Sequence, residues 1–113
     1  MAARYIHFVS TLGLLMTAPA ICAEPEFVIQ IRDHRFVPAE LTIPTGMKVR
    51  IILDNQDDMP EEVESHQLNR EKRVPARSRL TLFVGPLVPG RYLFESENAA
   101  NAGGPAMGTL VVR

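Results

Sequence analysis

Met47-Lys-Val-Arg-Ile-Ile-Leu53 is the stretch that decides the architecture. Its apolar residues Met47, Val49 and Ile51 recur every second position, which is the period of a half-buried β-strand and not of a helix. Pro44-Thr45-Gly46 precedes it and Asp54-Asn55-Gln56-Asp57-Asp58 follows, so turn chemistry bounds it on both sides. Outward from this strand the pattern repeats. Phe27–Ile31, Leu41–Ile43, Val63–Leu68, Leu80–Val84, Arg91–Glu95 and Thr109–Val112 read as further strands. Asp33-His34-Arg35 reads as a turn, and Phe36–Pro38 as an irregular crossing. Pro38, Pro44, Pro60, Pro75, Pro86, Pro89 and Pro105 fall between strands, where a missing N–H costs no ladder bond. About seven short strands at roughly 8–12-residue spacing predict an all-β Greek-key sandwich. Its core is expected to include Phe27, Val49, Ile51, Val63, Leu82, Tyr92, Phe94 and Val111. Glu61–Lys72, rich in charge, is read as strand then loop.

The 113 residues provide for one domain. Hydrophobic residues make up 46%, charged residues 22% and aromatics 6%, the profile of a globular chain. A formal net charge of −1 gives no electrostatic case for nucleic acid. Arg4, the apolar run Phe8–Thr17 and the small residues after Pro19 read as a signal peptide over residues 1–23, cleaved after Ala23. The domain is then 24–113, without cysteine, because Cys22 is the sole one in the chain and Ile21 before it argues against lipidation. Thiolate ligands, disulfides and cysteine nucleophiles are thereby excluded from the mature domain. No triad, phosphate loop or cleft for a small-molecule substrate is apparent.

Phe36-Val-Pro-Ala-Glu-Leu-Thr-Ile-Pro-Thr-Gly46, Val49–Asn55, Asp57-Asp-Met-Pro60, Pro89-Gly-Arg-Tyr-Leu-Phe94 and Gly108–Val112 together resemble the cupredoxin superfamily, in order and across nearly the whole domain. Pro60-Glu-Glu-Val-Glu-Ser-His-Gln-Leu-Asn-Arg-Glu-Lys72 carries a narrower likeness to the small cupredoxin-like proteins of bacterial ferrous-iron uptake systems and to the EfeO-type cupredoxin domain. The resemblance implies a cupredoxin-like sandwich in the periplasm. It also implies service to a periplasmic iron-binding protein and an iron permease of the inner membrane, with accessory ferroxidase activity as one role. The blue-copper pattern is broken. Glu61 stands where the first histidine follows the proline, Ser96 where the cysteine follows the Tyr-x-Phe aromatics, and Asn98–Ala102 where the second histidine belongs. Met107 lies one place from the usual axial position.

Carboxylates replace those soft groups, and oxygen donors favour harder cations. The candidate metal ligands are Glu61, Glu62, Glu64, His66, Glu95, Glu97 and Met107, for an iron or copper ion. Each also has an ordinary reading: solvated strand charges for the glutamates, a surface imidazole for His66, core filler for Met107. His34 is read as a turn residue. A metal-free adaptor, docking a periplasmic metal-binding protein or permease through Arg70–Arg79, is the alternative. The acidic run Asp54–Glu64 and the basic run Arg70–Arg79 are also expected to pair with each other.

Overall fold

In the computed structural model the described residues are 2–3, 12–19 and 23–113. Arg4, residues 8–11 and Cys22, on which the leader reading rests, lie outside the described residues. Nine strands follow in chain order: β1 Glu26–Arg32, β2 Arg35–Val37, β3 Glu40–Ile43, β4 Val49–Asn55, β5 Glu61–Ser65, β6 Arg70–Val74, β7 Arg79–Val84, β8 Gly90–Glu97 and β9 Ala106–Val112. Among the described residues no helix is long and apolar enough to cross a membrane.

The strands form two sheets, ordered β2-β1-β4-β7 and β3-β9-β8-β5-β6. β1 runs parallel to β4 and β3 parallel to β9, while the other pairs are antiparallel. The expected all-β sandwich is therefore what the chain forms. Two strands exceed the expectation. Arg35, read as part of a turn, and Phe36 and Val37, read as an irregular crossing, form a strand paired with β1. Arg70–Val74, read as loop, is the edge partner of β5, and its exposed charges kept it from showing a buried face.

Alternation explains the core. Ile29 and Ile31 of β1 and Val49, Ile51 and Leu53 of β4 point inward from the first sheet. Val63, Phe94, Leu110 and Val112 point inward from the second. Each such side chain contributes about 1.5–3 kcal/mol by leaving water. Of the expected core, Phe27, Leu82 and Tyr92 pack at its margin. Val111 does not belong to it. Leu110 and Val112 take the inner face of β9, and alternation turns Val111 away. Met47 falls outside β4 and is 44% exposed, so the inner set is Val49, Ile51 and Leu53.

Phe94 ties the layers together at the end where the site lies. Its ring meets Phe36 of the other sheet edge-on, with centroids 4.6 Å apart and an interplanar angle of 68°. It also crosses β9 over Gly108, where a Cβ would come within 2.3 Å of Phe94 Cζ. Only glycine leaves room for the ring at that register position.

Candidate metal centre

The β4–β5 connection sets where the acidic strand begins. Asn55 is fully buried, and its Nδ2 donates to the carbonyls of Met59 at 2.8 Å and Pro75 at 3.1 Å. Its Oδ1 accepts the Asp57 N–H at 3.0 Å. This fixes the loop so that β5 starts at Glu61. Strict alternation then sends Glu61, Val63 and Ser65 inward and Glu62 and Glu64 outward. On β8 the same rule sends Phe94 and Ser96 inward and Glu95 and Glu97 outward.

The seven candidate ligands therefore divide. Pairing places Glu64 opposite Glu95, Glu95 opposite Met107, and Glu71 of β6 on the far side of Glu64. One row across four strands thus reads Glu71, Glu64, Glu95, Met107 on the outer face of the five-stranded sheet. His66, just past β5, joins it. A ligand atom from each of Glu64, His66 and Glu95 lies within 4.8 Å of the others. His66 Nε2 is 3.5 Å from Glu64 Oε1. Gln67, Leu93 and Met107 line the same shallow depression. Glu62 and Glu97 face each other one step along the ladder, where Arg73 Nη1 pairs with Glu62 at 3.2 Å. Glu61 is absent from this face altogether.

Glu64 and Glu95 are like charges placed directly opposite, an arrangement that opposes strand pairing. The Glu95 carboxyl beside it holds the Glu64 carboxyl above the usual range. Partial burial adds to the effect, and His66 works against it. A cation among the three groups would remove the repulsion. Two carboxylates and an imidazole are donors that suit iron(II), manganese, zinc or copper(II).

Glu61 lies on the other side of the sheet, fully buried. Its Oε1 accepts from His34 Nδ1 at 2.8 Å and from Asn98 Nδ2 at 2.9 Å, and its Oε2 accepts from Ser96 Oγ at 2.5 Å. His34 Nε2 reaches the Gly104 carbonyl at 2.9 Å. His34 enters this node because Asp33 and His34 form a tight turn with φ of 52° and 54°. The backbone N–H groups of both donate to the Asp57 carboxylate at 2.8 and 2.9 Å. Burial works against a charge on the ring, but the Glu61 carboxylate and the Gly104 carbonyl outweigh it, so the His34 pKa is raised above 6.5. Sequence reasoning passed over His34 because its partners lie 27, 64 and 70 residues away. The inward course of Glu61, by contrast, follows from its parity with Val63.

A cupredoxin-like domain model matches residues 5–112, and the chain belongs to the cupredoxin-like domain family. It is 45% identical over 67 residues to the uncharacterised protein RP394 of Rickettsia prowazekii, covering 59% of this chain and 54% of that one. The chain thus spans about half the length of that curated relative. Among solved structures it is similar to the metal-binding domain of the Cu(I)-exporting P-type ATPase CopA of Streptococcus pneumoniae. That likeness has a TM-score of 0.64, with 14% identity over 78% of this chain and 84% of that one. Auracyanin A, a blue copper protein of Chloroflexus aurantiacus, gives a TM-score of 0.64 and 13% identity over 80% of this chain and all of that one. At such identities the likeness is one of fold.

The interior residues do not fit a thiolate–imidazole copper centre. Ser96 stands where such a centre needs sulfur. It is hydrogen-bonded to Glu61, which stands where the centre needs imidazole. The His34 imidazole beside them has both ring nitrogens engaged.

Proposed function

We propose that this protein is a metal-binding cupredoxin-fold component of bacterial ferrous-iron uptake. In this reading it works in the periplasm beside an iron-binding protein and the inner-membrane permease. The observation that carries the metal-binding part is the convergence of Glu64, His66 and Glu95, with ligand atoms within 4.8 Å on one open sheet face. Met107, 53% exposed beside them, offers a thioether that extends the range to copper. The iron assignment draws on the resemblance of Pro60–Lys72 to uptake proteins and on the oxygen-rich donor set. The open position of the face suits taking up an ion and passing it on, as opposed to sealing it in.

The adaptor reading draws less support from the arginines it relies on. Arg73, Arg77 and Arg79 pair with Glu62, Asp58 and Asp54 at 3.2, 2.7 and 3.2 Å, so these three are engaged within the chain. A paramagnetic test separates the two readings. Substoichiometric manganese(II) added to isotope-labelled protein is expected to broaden amide signals of β5, β8 and the His66 turn first. Uniform broadening, or none, speaks for the adaptor.

A further inference from the structure

The node around Glu61 has an unusual balance of donors and acceptors. The His34 ring has an oxygen at each nitrogen: Glu61 Oε1 at Nδ1 and the Gly104 carbonyl at Nε2. Asn101 adds a third oxygen. Its Oδ1 is buried with no hydrogen-bond partner, and its side chain adds to the upward shift of the His34 pKa. Nε2 faces the Gly104 carbonyl and Nδ1 lies against Glu61 Oε1 and Asn98 Nδ2, so an imidazolium satisfies both of its oxygen neighbours at once. On the other side, Glu61 lies within hydrogen-bond distance of three groups able to donate, on His34, Asn98 and Ser96. Asn98 Nδ2 lies 3.0 Å from His34 Nδ1, and both nitrogens reach Glu61 Oε1.

The charged and titratable groups around the ring are few. Glu61 faces it from β5, and Asp57 from the β4–β5 loop binds its backbone. The β8–β9 loop contributes only the neutral Asn98, Asn101 and Gly104, and Asp33 and Arg35 flank it on its own turn. We infer that this pocket is an imidazolium-binding site whose ligand is the protein's own His34 side chain. It lies where the cupredoxin-like sequence pattern puts a metal, and it takes an organic cation in its place. One ring thereby joins three connections: β1–β2 through its own turn, β4–β5 through Asp57 and Glu61, and β8–β9 through Gly104.

The backbone supplies a clean test. His34 has φ of 54°, a conformation glycine adopts at no steric cost, so H34G removes the ring without straining the turn. Glu61 is then left buried and unpaired. The melting temperature is expected to fall by roughly 10 °C or more. Added imidazole at pH 6 is expected to restore part of that loss in a saturable way, and to do nothing for the native protein or for H34G/E61Q. The inference is overturned if H34G melts like the native protein, or if imidazole has no more effect on H34G than on the native protein. It is equally overturned if zinc(II) or copper(II) restores stability and imidazole does not, since the pocket is then a metal site. The native protein gives a second readout by NMR. The His34 ring is expected to carry protons on both nitrogens at pH 6, and a ring with one bare nitrogen there contradicts the inference.

Discussion

At the scale of single residues, the chemistry turns on where Glu61 points. A carboxylate just after Pro60 invites assignment as a metal ligand beside Glu62 and Glu64. Yet Val63 is a core residue, and in a strand its inward neighbours are Glu61 and Ser65. That much was legible in the sequence. What was not legible is the partner, because His34 comes from a turn 27 residues earlier and nothing local announces it. The pair has a pH signature. The folded His34 pKa lies above the unfolded value of 6.5, so its contribution to stability is fully present below pH 6.5. It is lost as pH rises through the raised value. Urea unfolding at a series of pH values is expected to show this decline, and E61Q is expected to flatten it. Replacing Glu61 by alanine strands the imidazolium and is expected to cost about 3–5 kcal/mol in the same measurement.

At the scale of elements, the β5–β8 ladder matters most. Glu95 and Glu97 flank Ser96, and Glu62 and Glu64 flank Val63. Alternation within each strand therefore places all four glutamates on outer faces. Which of them meet is a matter of register, and register comes from the whole sheet. Pairing Glu64 with Glu95, and Glu95 with Met107, selects one subset and leaves Glu62 to Arg73. E95Q removes a like charge opposite Glu64. It is expected to keep or raise thermal stability while weakening metal binding, and a folded E95Q that binds like the native protein counts against the site. β9 offers a structural control on the inner face of the same sheet. Gly108→Ala forces a methyl into the Phe94 ring. It is expected to destabilise by about 1–3 kcal/mol in urea titration, with metal binding retained in whatever fraction is folded.

For the whole molecule, length, strand period and punctuation were enough to indicate a sandwich, because each short strand carries its own alternation and bounding turns. The edge strands were the least visible. β2 is three residues long, and β6 shows four exposed charges before Val74. The two polar features lie on opposite faces of the five-stranded sheet, so removing one leaves the other intact. A spectroscopic consequence follows from the interior. With Ser96 in place of sulfur, copper(II) added to the protein is expected to give the weak visible absorption of nitrogen and oxygen ligation. An intense blue band would contradict this donor set.

The central claim is that this cupredoxin-like domain binds its metal on the outer face of β5 and β8 and not in the interior. Calorimetric titration of the purified protein and of E64Q/E95Q tests it directly, using iron(II) under anaerobic conditions, manganese(II) and copper(II). The account predicts saturable one-site binding to the native protein that is lost in the folded double variant and kept in H34G. Binding that survives E64Q/E95Q, or no binding by a folded native protein to any of the three ions, would contradict it.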